Sequence, residues 1–373
     1  MSRPNDLIIL TAGGTGGHVF PAEALAAELL SRGRKLALVT DGRGQSYGGT
    51  LGQLTTHRIR AGGIAGRGIA ARLSAIAALG VGFLQARALL KSLSPAAVIG
   101  FGGYASVPAM LAASVIGIPT LLHEQNAVLG RANRLLAPRA TRIATSFDKV
   151  SHIATAWQSK VVQTGMPVRP AIVALRDQGY PALTEDGSIH LVVLGGSQGA
   201  RALSEVVPAA LLALPEGLRH RLVLSQQCRP EDLDSVRQTY QGSGITTTLE
   251  SFFHDIPERL AAAHLVIARS GASTVAELTA IGRPSILVPF PHAIDDHQTA
   301  NAHALNNVGG GWLMPQTAFD ATSLTARLLS LFTLPDSLTK AAACARAAGI
   351  PDAATRLADL VGRLTSDTLE VPS

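Results

Sequence analysis

The chain has few cysteines and few aromatic residues, and both shortages narrow its possible functions. Cys228 and Cys344 are the only cysteines in 373 residues, which disfavours a zinc site or a disulfide framework and indicates a reducing compartment. Phe, Trp and Tyr make up 4% of the chain. Nucleic-acid binders stack bases on such rings, so we expect no nucleic-acid partner. The first residues lead directly into a predicted strand, and we expect no secretory signal peptide.

Acidic residues are absent between Asp41 and Glu124. Residues 1–170 carry 18 Lys and Arg against 6 Asp and Glu, whereas residues 171–373 carry 14 against 20. An electrostatic field of one sign attracts a partner of the opposite charge, so this charge distribution predicts an anionic partner for the N-terminal half. Nucleic acid, an anionic membrane and a phosphorylated substrate all meet this description. A merely solvated basic face is the simpler alternative.

A second notable segment is long and uncharged, but we do not expect it to span a membrane. Residues 96–122 carry no charge and are long enough to span a membrane, but six glycines and prolines divide them into pieces that are too short. The pattern instead predicts a strand over Ala97–Phe101, a helix over Val107–Ile116 and a strand over Thr120–His123.

Two glycine-rich turns are the main feature that is present. They lie in Leu7–His18 and His190–Gly199, each between a short apolar strand and a helix rich in Ala and Leu. Neither turn matches the dinucleotide pattern G-x-G-x-x-G or the P-loop. The backbone N–H groups and the helix dipole still converge at each turn, where an anion can bind. Two such units predict two nucleotide-binding folds in one chain.

Strands and helices alternate throughout, which indicates right-handed βαβ units and two parallel sheets. The fold class is therefore α/β, with two Rossmann-like domains whose sheets face a central cleft. We expect an N-terminal domain over 1–165, a linker over 166–188 and a C-terminal domain over 189–345. A helical tail over 346–373 is expected to pack back on the N-terminal domain.

Polar clusters follow several predicted strands, where ligands of parallel sheets bind. They are His18, His123–Asn126, Ser197 with Gln198, Arg269–Thr274 with Glu277, and Asp295–Gln298. Each has a structural alternative, such as a helix-start hydrogen bond for His18 or a solvated helix position for Glu277. Asp232 and Asp234 match a short metal-binding pattern, but a solvated helix face explains them better, so we expect no metal.

Six segments together resemble the MurG family of bacterial peptidoglycan glycosyltransferases, in glycosyltransferase family 28. The segments are Thr11–Ala22, Gly100–Pro108, His123–Ala127, Gly195–Ala200, Arg269–Glu277, and Pro289–His292 with Asp296–Gln298. The resemblance runs almost end to end, and all six occur in order. Met166 departs from the family, which usually has Asn there.

The resemblance implies a GT-B fold and the donor substrate UDP-N-acetylglucosamine. By motif match, Ser197 and Arg169 meet the diphosphate, Glu277 accepts from the ribose hydroxyls, and the backbone near Phe253 contacts uracil. The remaining implied donor residues are Thr15, Gly16, Gly17, Asn126, Ala272, Ser273, Thr274 and Gln298. Gly14 and Tyr104 are implied on the acceptor side.

The reaction that the resemblance implies is inverting transfer of N-acetylglucosamine to the C4 hydroxyl of a muramyl pentapeptide on a polyprenyl diphosphate. This step belongs to cell-wall synthesis. His18 is the first candidate for the base and Glu124 the second. Helix N-termini and Arg169 can stabilise the departing UDP, so we expect no cofactor.

A membrane patch is expected on the segment 69–91, which has helical spacing interrupted by Gly80 and Gly82. Its members are Arg67, Arg72, Arg87, Lys91, Ile69, Leu73, Ile76, Leu79 and Phe83. The predicted location is the cytoplasmic face of the inner membrane, as a peripheral protein on an anionic leaflet. Two alternatives stay open: a related GT-B transferase with another lipid acceptor, and a nucleotide-sugar-binding module without transfer activity.

Overall fold

The computed structural model describes residues 5–13, 16–41, 48–62, 69–196 and 199–366. The chain forms two compact units. The first consists of residues 1–168 together with 351–373, and the second of residues 169–350.

Within the described residues, the first unit contains a seven-stranded parallel sheet in the order β3-β2-β1-β4-β5-β6-β7. Its strands are β1 (Asn5–Thr11), β2 (Lys35–Asp41), β3 (Thr55–Ile59), β4 (Pro95–Gly100), β5 (Thr120–Glu124), β6 (Arg142–Thr145) and β7 (Val161–Gln163). The central strands β1 and β4 are apolar on both faces, because helices cover the sheet on both sides.

Helices of the first unit follow the strands in alternation. They are α1 (Gly16–Ser31), α2 (Gly49–Gln53), α3 (Ile69–Leu93), α4 (Val107–Val115) and α5 (Arg131–Leu136), with a 3₁₀ turn at Thr155–Lys160. The first glycine turn needs its small residues because the backbone passes very close to a neighbour. A Cβ on Gly13 would lie 2.4 Å from Cβ of Ala105, so any side chain there would displace the adjacent loop.

The helix α3 runs without a break from Ile69 to Leu93, so the predicted interruption at Gly80 and Gly82 is wrong. Glycine costs about 1 kcal/mol in a helix, which packing can offset. Gly82 is buried, and a Cβ there would lie 1.7 Å from the carbonyl oxygen of Arg60. The glycine therefore lets the helix press directly against the backbone beyond β3.

The last helix belongs to the first unit, although the second unit precedes it in the chain. This helix, α15 (Ala353–Ser366), packs on α1 through a buried apolar face that includes Leu357 and Val361. At the edge of this contact the Arg32 guanidinium pairs with the Asp359 carboxylate at 2.6 Å.

The second unit contains a six-stranded parallel sheet among its described residues, in the order β10-β9-β8-β11-β12-β13. Its strands are β8 (Ile189–Leu194), β9 (Leu222–Gln227), β10 (Thr246–Glu250), β11 (Leu265–Ala268), β12 (Ser285–Leu287) and β13 (Gly311–Leu313). The two parallel sheets confirm the predicted α/β class.

Helices again cover this sheet. They are α6 (Pro170–Ala174), α7 (Arg201–Leu212), α8 (Glu216–Arg221), α9 (Leu233–Tyr240), α10 (Ile256–Ala262), α11 (Ala272–Ile281), α12 (His297–Asn307), α13 (Ala321–Thr333) and α14 (Pro335–Ala348). Short 3₁₀ turns lie at Arg176–Gln178, Pro230–Asp232, Ile294–Asp296 and Gln316–Ala318. The loops that carry the predicted donor residues leave the carboxyl ends of β8, β10, β11 and β12.

Candidate functional site

His18 lies in the first turn of α1, at the carboxyl edge of the first sheet. Its ring packs on the backbone of Gly102 and Gly103, which both have positive φ angles of 88° and 74°. A Cβ on Gly102 would lie 3.2 Å from Cε1 of the imidazole, and one on Gly103 would lie 3.5 Å from Cδ2. The loop after β4 thus forms a flat support that holds the half-buried ring in place.

Gln125 connects this imidazole to the interior of the unit. Its side-chain oxygen lies 3.3 Å from Nδ1 of His18. Its side-chain nitrogen lies 2.9 Å from the carbonyl oxygen of Phe101, 3.1 Å from that of His123 and 3.0 Å from Nδ1 of His123. Gln125 lies within a recognisable sequence motif, but only the tertiary contacts reveal its neighbours and hence its function.

Glu124, the second candidate for the base, is 1% exposed. One carboxylate oxygen accepts from the backbone N–H of Asn126 at 2.9 Å. The other accepts from the Gly130 N–H and the Asn133 amide, both at 2.8 Å. Through these hydrogen bonds Glu124 organises the turn after β5. Its role as the second candidate for the base, after His18, stays a prediction.

Of the other residues predicted at this edge of the sheet, four are described by the structure and two are not. Asn126 is partly buried and donates a second, longer bond of 3.4 Å from its amide to Glu124. Tyr104 is partly buried against the apolar core. Gly16 and Gly17 begin α1. Gly14 and Thr15 lie outside the described residues.

The predicted membrane patch is only partly exposed on α3. Ile76 is 59% exposed, and Val81, Leu84, Arg87 and Lys91 are also exposed. Leu79 and Phe83 are instead partly buried against the core, since they face the sheet. Arg67 lies outside the described residues, as do the side chains of Ile69, Arg72 and Leu73. Among the described residues, the stretch Ser74–Leu93 is long and apolar enough to cross a membrane. Buried positions make up 17% of its apolar portion.

In the second unit, Arg169 and Glu277 form a bidentate ion pair. Nε and one terminal nitrogen of the Arg169 guanidinium each donate to a different oxygen of the Glu277 carboxylate, at 2.8 Å. The Arg169 side chain is 40% exposed and the Glu277 side chain 15%. The second terminal nitrogen of Arg169 remains outside these two bonds, and a fork of this kind can hold two anions at once.

The N-terminus of α11 lies at the carboxyl end of β11. Ala272, Ser273 and Thr274 form its first turn, and no side chain within the described parts of the chain caps it. Such a turn presents N–H groups and a positive dipole end to an anion. Glu277 lies one turn further along the same helix.

Arg269 holds the loops of this edge together. It is 9% exposed and donates to the carbonyl oxygens of Val288 and Pro289, both at 3.0 Å, and to the Gln316 side chain at 2.7 Å. Burial lowers the pKa of its guanidinium below the usual value. Arg269 lies in a sequence motif, but the sequence alone indicates no function for it. In the structure it ties the segment after β11 to the segment after β12.

Gln298 lies at the start of α12, after two successive left-handed residues, Asp295 (φ 53°) and Asp296 (φ 52°). This conformation is costly for residues other than glycine and is concentrated at functional sites. The Gln298 side-chain oxygen accepts from the Phe290 N–H at 2.9 Å. Its amide nitrogen therefore faces away from this bond, as a donor.

Phe253 is 4% exposed in the loop after β10, and the Arg259 guanidinium lies 4.2 Å from its ring centroid. A cation held over an aromatic face in this way stabilises the loop. The second glycine turn bends at Gly196 and Gly199, which have φ angles of 81° and 69°. Ser197 lies outside the described residues.

The Asp232 and Asp234 carboxylates both pair with arginines. Asp232 receives two hydrogen bonds of 2.7 Å from Arg229, and Asp234 one of 2.7 Å from Arg237. In the portion of the chain that the structure describes, no group of three or more His, Cys, Asp and Glu side chains is arranged to hold a metal ion.

Comparison with known proteins shows the family of the chain. Residues 8–145 match the glycosyltransferase family 28 N-terminal domain, and residues 190–357 match its C-terminal domain. The chain is 65% identical over 361 residues, 97% of each chain, to the UDP-N-acetylglucosamine–N-acetylmuramyl-(pentapeptide) pyrophosphoryl-undecaprenol N-acetylglucosamine transferase of Paramagnetospirillum magneticum. It is 60% identical to the transferase of the same name from Rhodospirillum rubrum, over 95% of this chain and 91% of the other.

Among solved structures, the crystal structure of Acinetobacter baumannii MurG superposes with a TM-score of 0.79 at 29% identity, over 96% of this chain and 99% of that one. This similarity confirms the GT-B fold expected from the motifs. With both domains matched in order and relatives identical at more than half of their positions, the chain is a glycosyltransferase that belongs to glycosyltransferase family 28.

Proposed function

We propose that this protein transfers N-acetylglucosamine from UDP-N-acetylglucosamine to the C4 hydroxyl of an undecaprenyl-diphosphate-linked N-acetylmuramoyl pentapeptide. The observation that carries the proposal is the 65% identity, over nearly the whole of both chains, with a relative that bears the name of this reaction. The product is the lipid-linked disaccharide used for peptidoglycan synthesis.

The donor binds to the second unit in this proposal. The uncapped first turn of α11 and Arg169 receive the diphosphate, whose charge suits a helix N-terminus and a guanidinium. Glu277 accepts from the ribose hydroxyls, the backbone near Phe253 contacts uracil, and the Gln298 amide donates to a sugar hydroxyl. Ser197 contributes to the same diphosphate site.

Arg169 has two tasks here because its fork has two usable edges. One edge of the guanidinium is hydrogen-bonded to Glu277. In this proposal the other edge binds the diphosphate. A lone carboxylate beside a diphosphate would repel it, so the ion pair also cancels a charge that would oppose the donor. Arg169 thereby links recognition of the ribose to recognition of the phosphates.

Transfer requires removal of one proton and stabilisation of one leaving group. The C4 oxygen of the acceptor bonds to the anomeric carbon from the face opposite UDP, which inverts the configuration. The bond between that carbon and the diphosphate oxygen breaks, and UDP keeps the electron pair. His18 takes the hydroxyl proton, while Arg169 and the N-terminus of α11 stabilise the negative charge that develops on UDP.

Membrane attachment is proposed for the exposed face of α3. Ile76, Val81 and Leu84 offer apolar side chains, and Arg87 with Lys91 supplies positive charge. Polar and basic residues of the helix and the packing of its other face on the core favour contact with the surface over insertion across the bilayer. The protein then acts peripherally on the cytoplasmic leaflet, where its lipid-linked acceptor resides.

A transfer assay tests the proposed reaction. UDP release is measured with UDP-N-acetylglucosamine and a short-chain lipid-linked muramyl pentapeptide, with and without a chelator. We expect transfer by the wild type in both conditions, a loss of roughly 10²- to 10⁴-fold in kcat for His18→Ala, and weaker donor binding for Glu277→Ala. Thr333→Ala, an exposed substitution in the second unit, is the control. Transfer to diacylglycerol but not to the muramyl lipid, or no transfer at all, would refute the assignment.

A further inference from the structure

The Gln125 side chain has a fixed orientation. Its nitrogen faces the carbonyl oxygens of Phe101 and His123, which can only accept hydrogen bonds. A flipped amide would place its oxygen against these two carbonyl oxygens, and each buried group that loses its donor costs about 1–3 kcal/mol. The His123 carbonyl also accepts from the Asn133 amide at 3.3 Å, so the loss falls mainly on the flipped amide oxygen and the Phe101 carbonyl. Gln125 is 2% exposed, so water cannot compensate. The amide oxygen must therefore face His18.

His123 strengthens this orientation from the other side. Its Nε2 lies 3.2 Å from the carbonyl oxygen of Gly165, so Nε2 carries the proton and donates it. Its Nδ1 is then an acceptor for the Gln125 amide at 3.0 Å. Burial lowers the pKa of His123 to about 4, which keeps the ring neutral and its Nδ1 lone pair available near neutral pH.

The same rule applied to His18 assigns its proton. The Gln125 oxygen can only accept, and its partner is Nδ1 of His18, at 3.3 Å. Nδ1 of His18 therefore carries the hydrogen, and in the neutral ring Nε2 carries the lone pair. The distance is at the long end for a hydrogen bond, as is common for catalytic groups before substrate binds.

We propose that Gln125 is a positioning residue that holds His18 in the tautomer protonated at Nδ1, so that Nε2 is the atom that removes the proton from the acceptor hydroxyl. The proposal rests on the proposed function above. Four groups form a directed series: the Gly165 carbonyl, His123, Gln125 and His18. Because the series ends on a backbone carbonyl, it orients the base without supplying a charge to it.

The test combines kinetics with a direct measurement of the tautomer. The full-length variants are wild type, Gln125→Met, His18→Ala, the double variant and a matched control. The control is Thr145→Val, which changes a buried side chain of the same sheet edge to one of equal size; the Thr145 hydroxyl has no hydrogen-bond partner among the described atoms. Transfer to the short-chain lipid acceptor is followed across pH 5.5–9, and the donor KM is measured for each.

We expect Gln125→Met to lower kcat roughly 10- to 100-fold, part of the about 10²- to 10⁴-fold that a positioned base supplies. The donor KM should stay within twofold. In the His18→Ala background the same substitution should change kcat less than twofold, and Thr145→Val should match the wild type. An equal loss of kcat in both backgrounds would overturn the proposal.

The tautomer itself is read from the ¹⁵N chemical shifts of the imidazole in histidine-labelled wild-type protein, without any substrate. We expect the His18 signals of an Nδ1-protonated ring, and mixed tautomers in Gln125→Met. A wild-type ring protonated at Nε2 would refute the positioning role whatever the enzyme transfers. Conversely, the expected shifts without any transfer to the lipid acceptor would refute the proposed function and leave the orientation of His18 intact.

Discussion

The link that we propose Arg169 makes between the ribose and the diphosphate can be tested with a double-mutant cycle. The variants are Arg169→Met, Glu277→Gln and the pair of substitutions together, and the ligands are UDP and uridine. The bidentate pair places two charge-assisted bonds of 2.8 Å on one carboxylate that is 15% exposed. Removing only the guanidinium leaves this carboxylate uncompensated beside the bound diphosphate.

The expected magnitudes follow from these two effects. Loss of a charged hydrogen bond to the diphosphate costs about 1.5–3 kcal/mol, and the repulsion from a bare carboxylate adds about 1 kcal/mol. Arg169→Met should therefore weaken UDP binding by roughly two to three orders of magnitude. Glu277→Gln removes the repulsion of about 1 kcal/mol, so we expect the double variant to bind UDP about fivefold more tightly than the sum of the single effects predicts.

Isothermal titration calorimetry with both ligands provides the readout. Uridine has no phosphate, so Arg169→Met should weaken its binding much less than that of UDP. Arg327→Met, an exposed substitution in the second unit, is the control for net charge and should leave both affinities unchanged. Single effects that add within about 0.5 kcal/mol for UDP would refute the idea that Arg169 acts on both groups.

Two further predictions concern the first unit. Glu124→Gln replaces one accepting carboxylate oxygen with a donating NH2 group that faces buried N–H donors, so we expect about 2–4 kcal/mol less unfolding free energy by urea denaturation. Unchanged stability with abolished transfer would instead make Glu124 the base. Arg87→Gln with Lys91→Gln should weaken binding to anionic vesicles about 30-fold in a sedimentation assay, since each basic residue contributes about 1 kcal/mol at such a surface. The control of equal charge, Arg327→Gln with Lys340→Gln, should bind normally, and equal losses in both pairs would indicate a non-specific effect of net charge.

Most of the fold could be predicted from local sequence patterns. Apolar runs of strand length, each followed by a glycine turn and a helix, can be recognised in the sequence. This is because glycine and hydrophobic periodicity determine backbone structure over only a few residues. The strands predicted over Ala97–Phe101 and Thr120–His123 agree to within two residues with β4 and β5. The pattern was wrong about α3, where the glycines suggested a break, because the close packing of Gly82 on Arg60 depends on residues that are distant in sequence.

The candidate site, like the fold, could be predicted from the sequence only in part. Motif order alone determined the family and therefore which residue types lie at the carboxyl edges of the sheets. Only the tertiary structure decided what each of them contacts: that Glu124 is enclosed by N–H donors, that the amide of Gln125 has one possible orientation, and that Arg169 reaches a carboxylate 108 positions away.

The physical reason is that residue chemistry and periodicity are properties of the chain, whereas hydrogen-bond polarity and burial belong to the packed molecule. A glutamate in a motif is equally suited to be a base or a structural acceptor until its neighbours are known. Similarly, α3 shows an apolar composition in the sequence, but only packing determines that Ile76 is exposed while Phe83 is turned toward the core. The sequence thus determined the family and the residue chemistry of each segment, and the fold decided which side chains are available to act.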